Sequence, residues 1–181
     1  MPSEFQKRKL ALAFYKYDLS KDGILEAKDL ELQGHKVADL LKVKQGDAER
    51  EKIVSAHKAV WDAYFKPGDT DGDNKVTLDE YAKAVEHYYS NPGNSHELAL
   101  EVNKSVFDSI DLNGNGQIDS VEYAVFLISL GVSEADAKVA FERLDTNGDG
   151  YISRDEFAKN NVDYFLSDDP EAAANWFYGS Y

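Results

Sequence analysis

The chain of 181 residues contains no cysteine. Disulfides, thiolate metal sites and cysteine nucleophiles are therefore excluded, while the redox compartment stays open. Methionine is nearly absent too, with Met1 the single example. The interior thus lacks the flexible thioethers that let a binding groove adapt to varied partners. Basic residues are scarce: 20 Lys and Arg stand against 34 Asp and Glu, a formal net charge of −14. So acidic a chain repels phosphate backbones and anionic lipid, and neither nucleic acid nor a membrane surface is an expected partner. No apolar run has the length of a transmembrane helix, and the opening residues through Gln6-Lys7-Arg8-Lys9 show no signal-peptide pattern. Pro2 stands where N-myristoylation needs glycine. The expectation is a cytoplasmic monomer without stable membrane insertion.

Core-forming residues are plentiful. Hydrophobic residues make up 43 % of the chain, including eleven Tyr, nine Phe and two Trp. That is ample for one compact domain, or for two small halves sharing an interior.

A repeat organises the sequence. Four acidic, Gly/Asn-rich segments begin at Asp18, Asp69, Asp111 and Asp145, each between stretches of helical periodicity. An aromatic precedes each leading Asp by four residues: Phe14, Phe65, Phe107 and Phe141. Leu30, Tyr81, Tyr123 and Phe157 follow the twelfth positions. These recurrences predict helix–loop–helix units whose inner faces meet in a common core. Ser90-Asn91-Pro92-Gly93-Asn94-Ser95 stacks turn formers and divides the chain into residues 1–90 and 96–181, each holding two units. Between the first two loops the pattern predicts a helix over Leu30–Val43, a turn near Gly46-Asp47, and a second helix ending at Phe65 before Pro67-Gly68. Gly131 is expected to end one helix, and Ser133 to begin the next in a capping box with Asp136.

The loops themselves carry the chemistry. A hard cation such as Ca²⁺ takes six to eight oxygens, which a twelve-residue loop supplies from side chains at positions 1, 3 and 5, a carbonyl at 7 and a bidentate carboxylate at 12. Gly at position 6 makes the bend, and position 8 pairs the loop with a neighbour. Loop three, DLNGNGQIDSVE, offers Asp111, Asn113, Asn115, the Gln117 carbonyl and Glu122, with Asp119 at the water position and Gly116 at the bend. Loop four, DTNGDGYISRDE, offers Asp145, Asn147, Asp149, the Tyr151 carbonyl and Glu156, with Gly150 at the bend. Loop two, DTDGDNKVTLDE, offers Asp69, Asp71, Asp73, the Lys75 carbonyl and Glu80, but has Asn74 at the bend. Asn tolerates the left-handed region better than other non-glycine residues. Loop one, DLSKDGILEAKD, offers Asp18, Ser20, Asp22, the Ile24 carbonyl and Asp29. Asp29 is one methylene shorter than Glu, which suits a smaller ion, so Mg²⁺ is expected to compete there; Glu26 adds a carboxylate at position 9. The pattern is that of EF-hand calcium loops, with three or four Ca²⁺ ions expected.

With the loops placed, the chain resembles the sarcoplasmic calcium-binding proteins and their calexcitin and calerythrin relatives. The resemblance runs over essentially the full length. It rests on Phe5-Gln6-Lys7-Arg8-Lys9, on Asp29-Leu30 closing the first loop, on Val60-Trp61, and on the stretch from Asp163-Tyr164-Phe165 to Trp176-Phe177-Tyr178-Gly179. It implies an all-α, compact four-EF-hand protein whose two pairs, each joined by a short loop-to-loop β bridge, pack as one unit. Asp at the twelfth position of the first loop is itself a habit of that family.

Three functions compete. The poverty in methionine favours a calcium buffer over a sensor that opens an adaptable groove. The alternative is a calexcitin-type sensor that engages a target. A luciferin-binding role, as in the photoprotein group, is the third. Photoproteins use His–Trp–Tyr groupings around a buried substrate, whereas here the histidines are His35, His57, His87 and His96, and Ala172 stands one turn before Trp176. No catalytic motif is present, and an enzyme is not expected. Lys7-Arg8-Lys9 reads as a solvated helix face. The aromatic tail is expected to fold back between the halves.

Overall fold

The computed structural model describes residues 2–89 and 96–180. Among these it places eight α-helices: α1 (Glu4–Tyr17), α2 (Ala27–Leu40), α3 (Ala48–Val60), α4 (Leu78–Tyr89), α5 (His96–Ile110), α6 (Ser120–Ser129), α7 (Glu134–Leu144) and α8 (Arg154–Leu166). The expected break at Ser90–Ser95 lies outside the described residues.

Each loop is bracketed by two helices, and the loops meet in pairs. Strand β1 (Gln117–Ile118) runs antiparallel to β2 (Ile152–Ser153), with Ile118 opposite Ile152. In the first half the join is a single bridge, Leu25 to Val76, closed by reciprocal N–H to carbonyl bonds of 2.9 Å. All four position-8 residues are fully buried. Their branched side chains therefore fix each pair of loops to the core as well as to one another.

Helix boundaries follow local chemistry. Ser3 opens α1 by a capping box: its hydroxyl accepts the Gln6 N–H at 3.1 Å, and the Gln6 side chain accepts the Ser3 N–H at 2.8 Å. The helix expected over Leu30–Val43 lies about three residues earlier. Asp29 draws its start back by accepting the Glu26 N–H, and Lys42, at φ 59°, turns the chain so that the Val43 N–H reaches the Ala38 carbonyl. The helix leading to the second loop widens into a π-turn at Trp61–Phe65, then tightens to a 3-10 turn at Lys66–Gly68 where Pro67 lacks a donor. Helices α2 and α3 pack closely at Gly34, where a Cβ would lie 2.8 Å from the Val54 Cα.

Ser133 does cap α7, accepting the Asp136 N–H at 3.1 Å. The reciprocal half of the expected box is replaced. The Asp136 carboxylate instead accepts a hydrogen bond from Ser180 at 3.1 Å, so the tail takes the acceptor that the box would use.

One cluster of buried residues runs from Ala13 and Phe14 through Tyr81 and Tyr123 to Tyr178. It is knit across the two halves by α1 and α4 on α8, α2 on α6, and α3 on α5. The tail completes it. A 3-10 turn at Ala173–Trp176 carries Phe177 and Tyr178 inward, both almost wholly buried. Tyr178 meets Tyr17 at 5.8 Å and Tyr164 at 5.0 Å, and Phe177 meets Phe157 at 4.9 Å. The Tyr123 hydroxyl donates to the Phe177 carbonyl at 2.7 Å. Burial drives the phenols of Tyr17, Tyr123 and Tyr164 well above their ordinary pKa, so all three stay neutral.

The basic cluster departs from the sequence reading. Lys7 and Arg8 are exposed, but Lys9 is 1 % exposed. Its ammonium donates to the Ser167 carbonyl at 2.8 Å and to Asn175 Oδ1 at 2.9 Å. It also lies over the rings of Phe5, at 4.7 Å, and Tyr164, at 5.4 Å. Lys9 is a pin between the first helix and the tail, not part of a solvated face.

Candidate metal centres

The four loops share one internal wiring. In each, the leading Asp accepts the backbone N–H of position 6 at 2.9 Å: Gly23 to Asp18, Asn74 to Asp69, Gly116 to Asp111 and Gly150 to Asp145. This bond folds the chain back on itself and needs a positive φ at position 6. Gly23, Gly116 and Gly150 have φ of 82°, 83° and 88°, and Asn74 adopts 61°. Loop two therefore makes the expected bend without glycine.

The position-5 side chains are tied in the same manner. Asp22, Asp73, Asn115 and Asp149 each accept the N–H of position 7, at 3.1, 2.8, 2.8 and 2.9 Å. At position 3, Asp71, Asn113 and Asn147 accept the N–H of position 5 at 3.2, 3.0 and 2.8 Å. Loop one differs here, since Ser20 donates its hydroxyl to Asp18 at 3.4 Å. The carbonyl-bearing residues Ile24, Lys75, Gln117 and Tyr151 follow directly in each loop.

Position 12 closes the loop. Glu122 accepts the N–H of Asn113 at 3.2 Å on one oxygen and that of Asp119 at 3.0 Å on the other. Glu80 spans the N–H groups of Thr70 and Thr77, both at 3.0 Å, and Glu156 takes the Ser153 N–H and the Thr146 hydroxyl, both at 3.0 Å. Asp29 makes the same two-ended closure despite its shorter arm, accepting Ser20 and Glu26 N–H groups at 2.9 Å each. It is fully buried. Helix α2 begins at position 10 of its loop, as α4, α6 and α8 do, and the bond from the position-9 N–H to the position-12 carboxylate is the same in all four. Asp119, at position 9 of loop three, spends one oxygen capping α6 through Val121 and Glu122 N–H groups.

At Glu80 and Glu156 these contacts favour the charged carboxylate. The N–H and hydroxyl groups of Thr77 and Thr70 hold the Glu80 carboxyl down at about 2. Burial pulls Glu156 upward, but hydrogen bonds from Ser153, Thr146 and Asn147 outweigh it and the net shift is down. The donor set consists of oxygens alone, and the Asp69, Asp71 and Asp73 carboxylates converge to within 4.8 Å of one another. At that separation two like charges in water repel by about 1 kcal/mol. Gathered, ionised, hard oxygens fit a divalent cation of the Ca²⁺ or Mg²⁺ class.

The sequence reading missed three features of loop one. Lys21, at position 4, sits at φ 59°, where the other loops have Gly72, Gly114 and Gly148. The Lys28 ammonium lies 2.7 Å from Asp22 Oδ2 and 2.8 Å from Glu26 Oε2. Lys75 of loop two reaches Glu26 from the other side at 3.6 Å. Aligning position 4 of the four loops would have exposed the first. The lysine contacts depend on side-chain reach that spacing does not encode.

Models of the EF-hand domain pair match residues 37–88 and residues 100–160. The chain belongs to the EF-hand family. The first loop lies ahead of the earlier match, and its recognition rests on the wiring it shares with the others. Over 158 residues the protein is 28 % identical to calerythrin of Saccharopolyspora erythraea, covering 86 % of this chain and 89 % of that one. The calcium-loaded apo form of the coelenterazine-binding protein of Renilla muelleri superposes with a TM-score of 0.82 at 25 % identity, covering 99 % of both chains. A sarcoplasmic calcium-binding protein from amphioxus has the same fold, with a TM-score of 0.68 at 17 % identity over 100 % of both chains. The chain is thus similar along most of its length to calerythrin and shares its fold with a sarcoplasmic calcium-binding protein.

Proposed function

We propose that the protein is a calcium buffer: it takes up Ca²⁺ in its EF-hand loops and keeps its interior closed while doing so. Calcium binding follows from the family and from oxygen-only loops wired alike. The ligands assigned are Asp18, Ser20, Asp22, Ile24 and Asp29 in the first loop and the corresponding residues of the other three, with Mg²⁺ competing at the first. Exchanging Glu122 or Glu156 for Gln removes one negative charge and one end of a bidentate grip. Each exchange is expected to remove one equivalent from a calorimetric calcium titration of the full chain. Unchanged stoichiometry in both variants would overturn the assignment.

The buffer reading is carried by the tail. A sensor responds by exposing an apolar groove to its target. Here Tyr178 spans the halves, packing ring to ring against Tyr17 and Tyr164, while Phe177 packs against Phe157 within the second half. Calcium is therefore expected to reduce the fluorescence of an added hydrophobic probe, because charge neutralisation tightens the closed form. A rise in probe fluorescence with calcium would favour the sensor. The coelenterazine-binding relative raises a third reading, a carrier of a small aromatic ligand. Against it, Tyr17, Tyr123, Tyr164, Phe177 and Tyr178 are all within 1 % of complete burial. Trp176 is stacked under the Arg143 guanidinium at 4.7 Å, a packing role. Location in the cytoplasm and a monomeric state belong to the same proposal.

A further inference from the structure

Loop one carries its own cation. Lys28 occupies position 11 of that loop, and its ammonium sits between the carboxylates of positions 5 and 9, at 2.7 Å from Asp22 and 2.8 Å from Glu26. The equivalent positions in the other loops are Asp79, Val121 and Asp155, none of which can supply a positive charge. Among the described residues, no ion pair involves Asp73 or Asp149, the position-5 carboxylates of loops two and four. The arrangement is therefore a property of loop one alone, and it lies on a residue that the reading above assigns as a ligand.

We infer that Lys28 is a tethered competitor for the first site and makes loop one the last to fill. For a divalent ion to engage Asp22, the carboxylate must first leave the ammonium it already holds. An exposed pair of this kind is weak, and a divalent ion displaces it. The apparent affinity is nevertheless reduced by the work of breaking two contacts. Lys75 adds a link between sites, because it reaches the other oxygen of Glu26 from position 7 of loop two at 3.6 Å. Loop one is thus held in an ion-paired form until the ion concentration exceeds what the other loops need. The buffer then has a reserve site above its working range.

This inference rests on loop one being a cation site, and the experiment separates the two. The position-6 amides of Gly23, Asn74, Gly116 and Gly150 each donate to a leading Asp, one per loop. Their nuclear magnetic resonance signals report the filling of each loop within the full chain. In a calcium titration the Gly23 signal is expected to move last. In Lys28→Met its midpoint should fall by about three- to tenfold, the scale of two exposed ion pairs, while those of Gly116 and Gly150 stay within about twofold. Lys21→Met removes a charge from the same loop without touching that contact, and should leave the Gly23 midpoint within about twofold. An unchanged midpoint in Lys28→Met, or an equal shift in Lys21→Met, would overturn the inference while leaving the site intact. A Gly23 signal that stays still in every protein up to millimolar calcium would overturn loop one as a site, and the inference with it.

Discussion

Chelating divalent cations is expected to lower the melting temperature by roughly 20–40 °C relative to the calcium-saturated protein. The magnitude comes from linkage. A ligand bound only by the folded chain adds about 2.7 kcal/mol per site when its free concentration is a hundred times the dissociation constant. Three or four such sites contribute roughly 8–11 kcal/mol, and a chain of this size shifts by about 2–4 °C per kcal/mol. The loops give the physical origin. Asp69, Asp71 and Asp73 bring carboxylate oxygens within 4.8 Å, and Asp29 and Glu122 are buried with N–H donors as their partners. Backbone donors orient these groups but neutralise none of their charge. Calorimetric scans with calcium and with chelator test this directly, and equal melting temperatures would contradict the account.

Phe177→Ala should destabilise the calcium-loaded protein by about 3–5 kcal/mol, the range for an aromatic removed from a packed core. The ring is completely buried and touches Phe157 at 4.9 Å, Tyr178 at 5.0 Å and Tyr164 at 6.3 Å. None of these partners is a loop ligand, so the calcium stoichiometry should stay that of the parent. Denaturant unfolding measures the first quantity and titration calorimetry the second. The same variant should bind more hydrophobic probe in the presence of calcium than the parent does, since a cavity opens beside Phe157 and Tyr164 where the tail packs. A loss below about 1 kcal/mol would mean that the tail lies on the core without contributing to it.

The loops were legible in the sequence because their chemistry is local. Twelve residues hold every side chain proposed as a ligand of a site, and the bend at position 6 reads directly from Gly or Asn. The position-8 pairing was legible for the same reason, since Leu25, Val76, Ile118 and Ile152 recur at a fixed offset. Long-range contacts were not. Lys9 looks like its exposed neighbours Lys7 and Arg8 because the acceptors that bury it lie 158 and 166 residues away. Asp136 completes a sound local motif on paper, yet Ser180, 44 residues on, takes its carboxylate. The start of α2 reads as Leu30 rather than Ala27 because the cap that Asp29 makes with the Glu26 N–H is left out of the helix pattern.

The pin at Lys9 also orders events during synthesis. Its ammonium is bound by Ser167 and Asn175, and the Lys9 carbonyl accepts the Tyr164 hydroxyl at 2.7 Å. Helix α1 thus depends, through Lys9, on residues made more than 150 positions later. Until they are made, Lys9 lacks both of these acceptors and Tyr17 lacks the Tyr178 ring, while Phe65 and Tyr81 can already cover Tyr17 and Phe14. The pin can therefore close only after all four loops have been made.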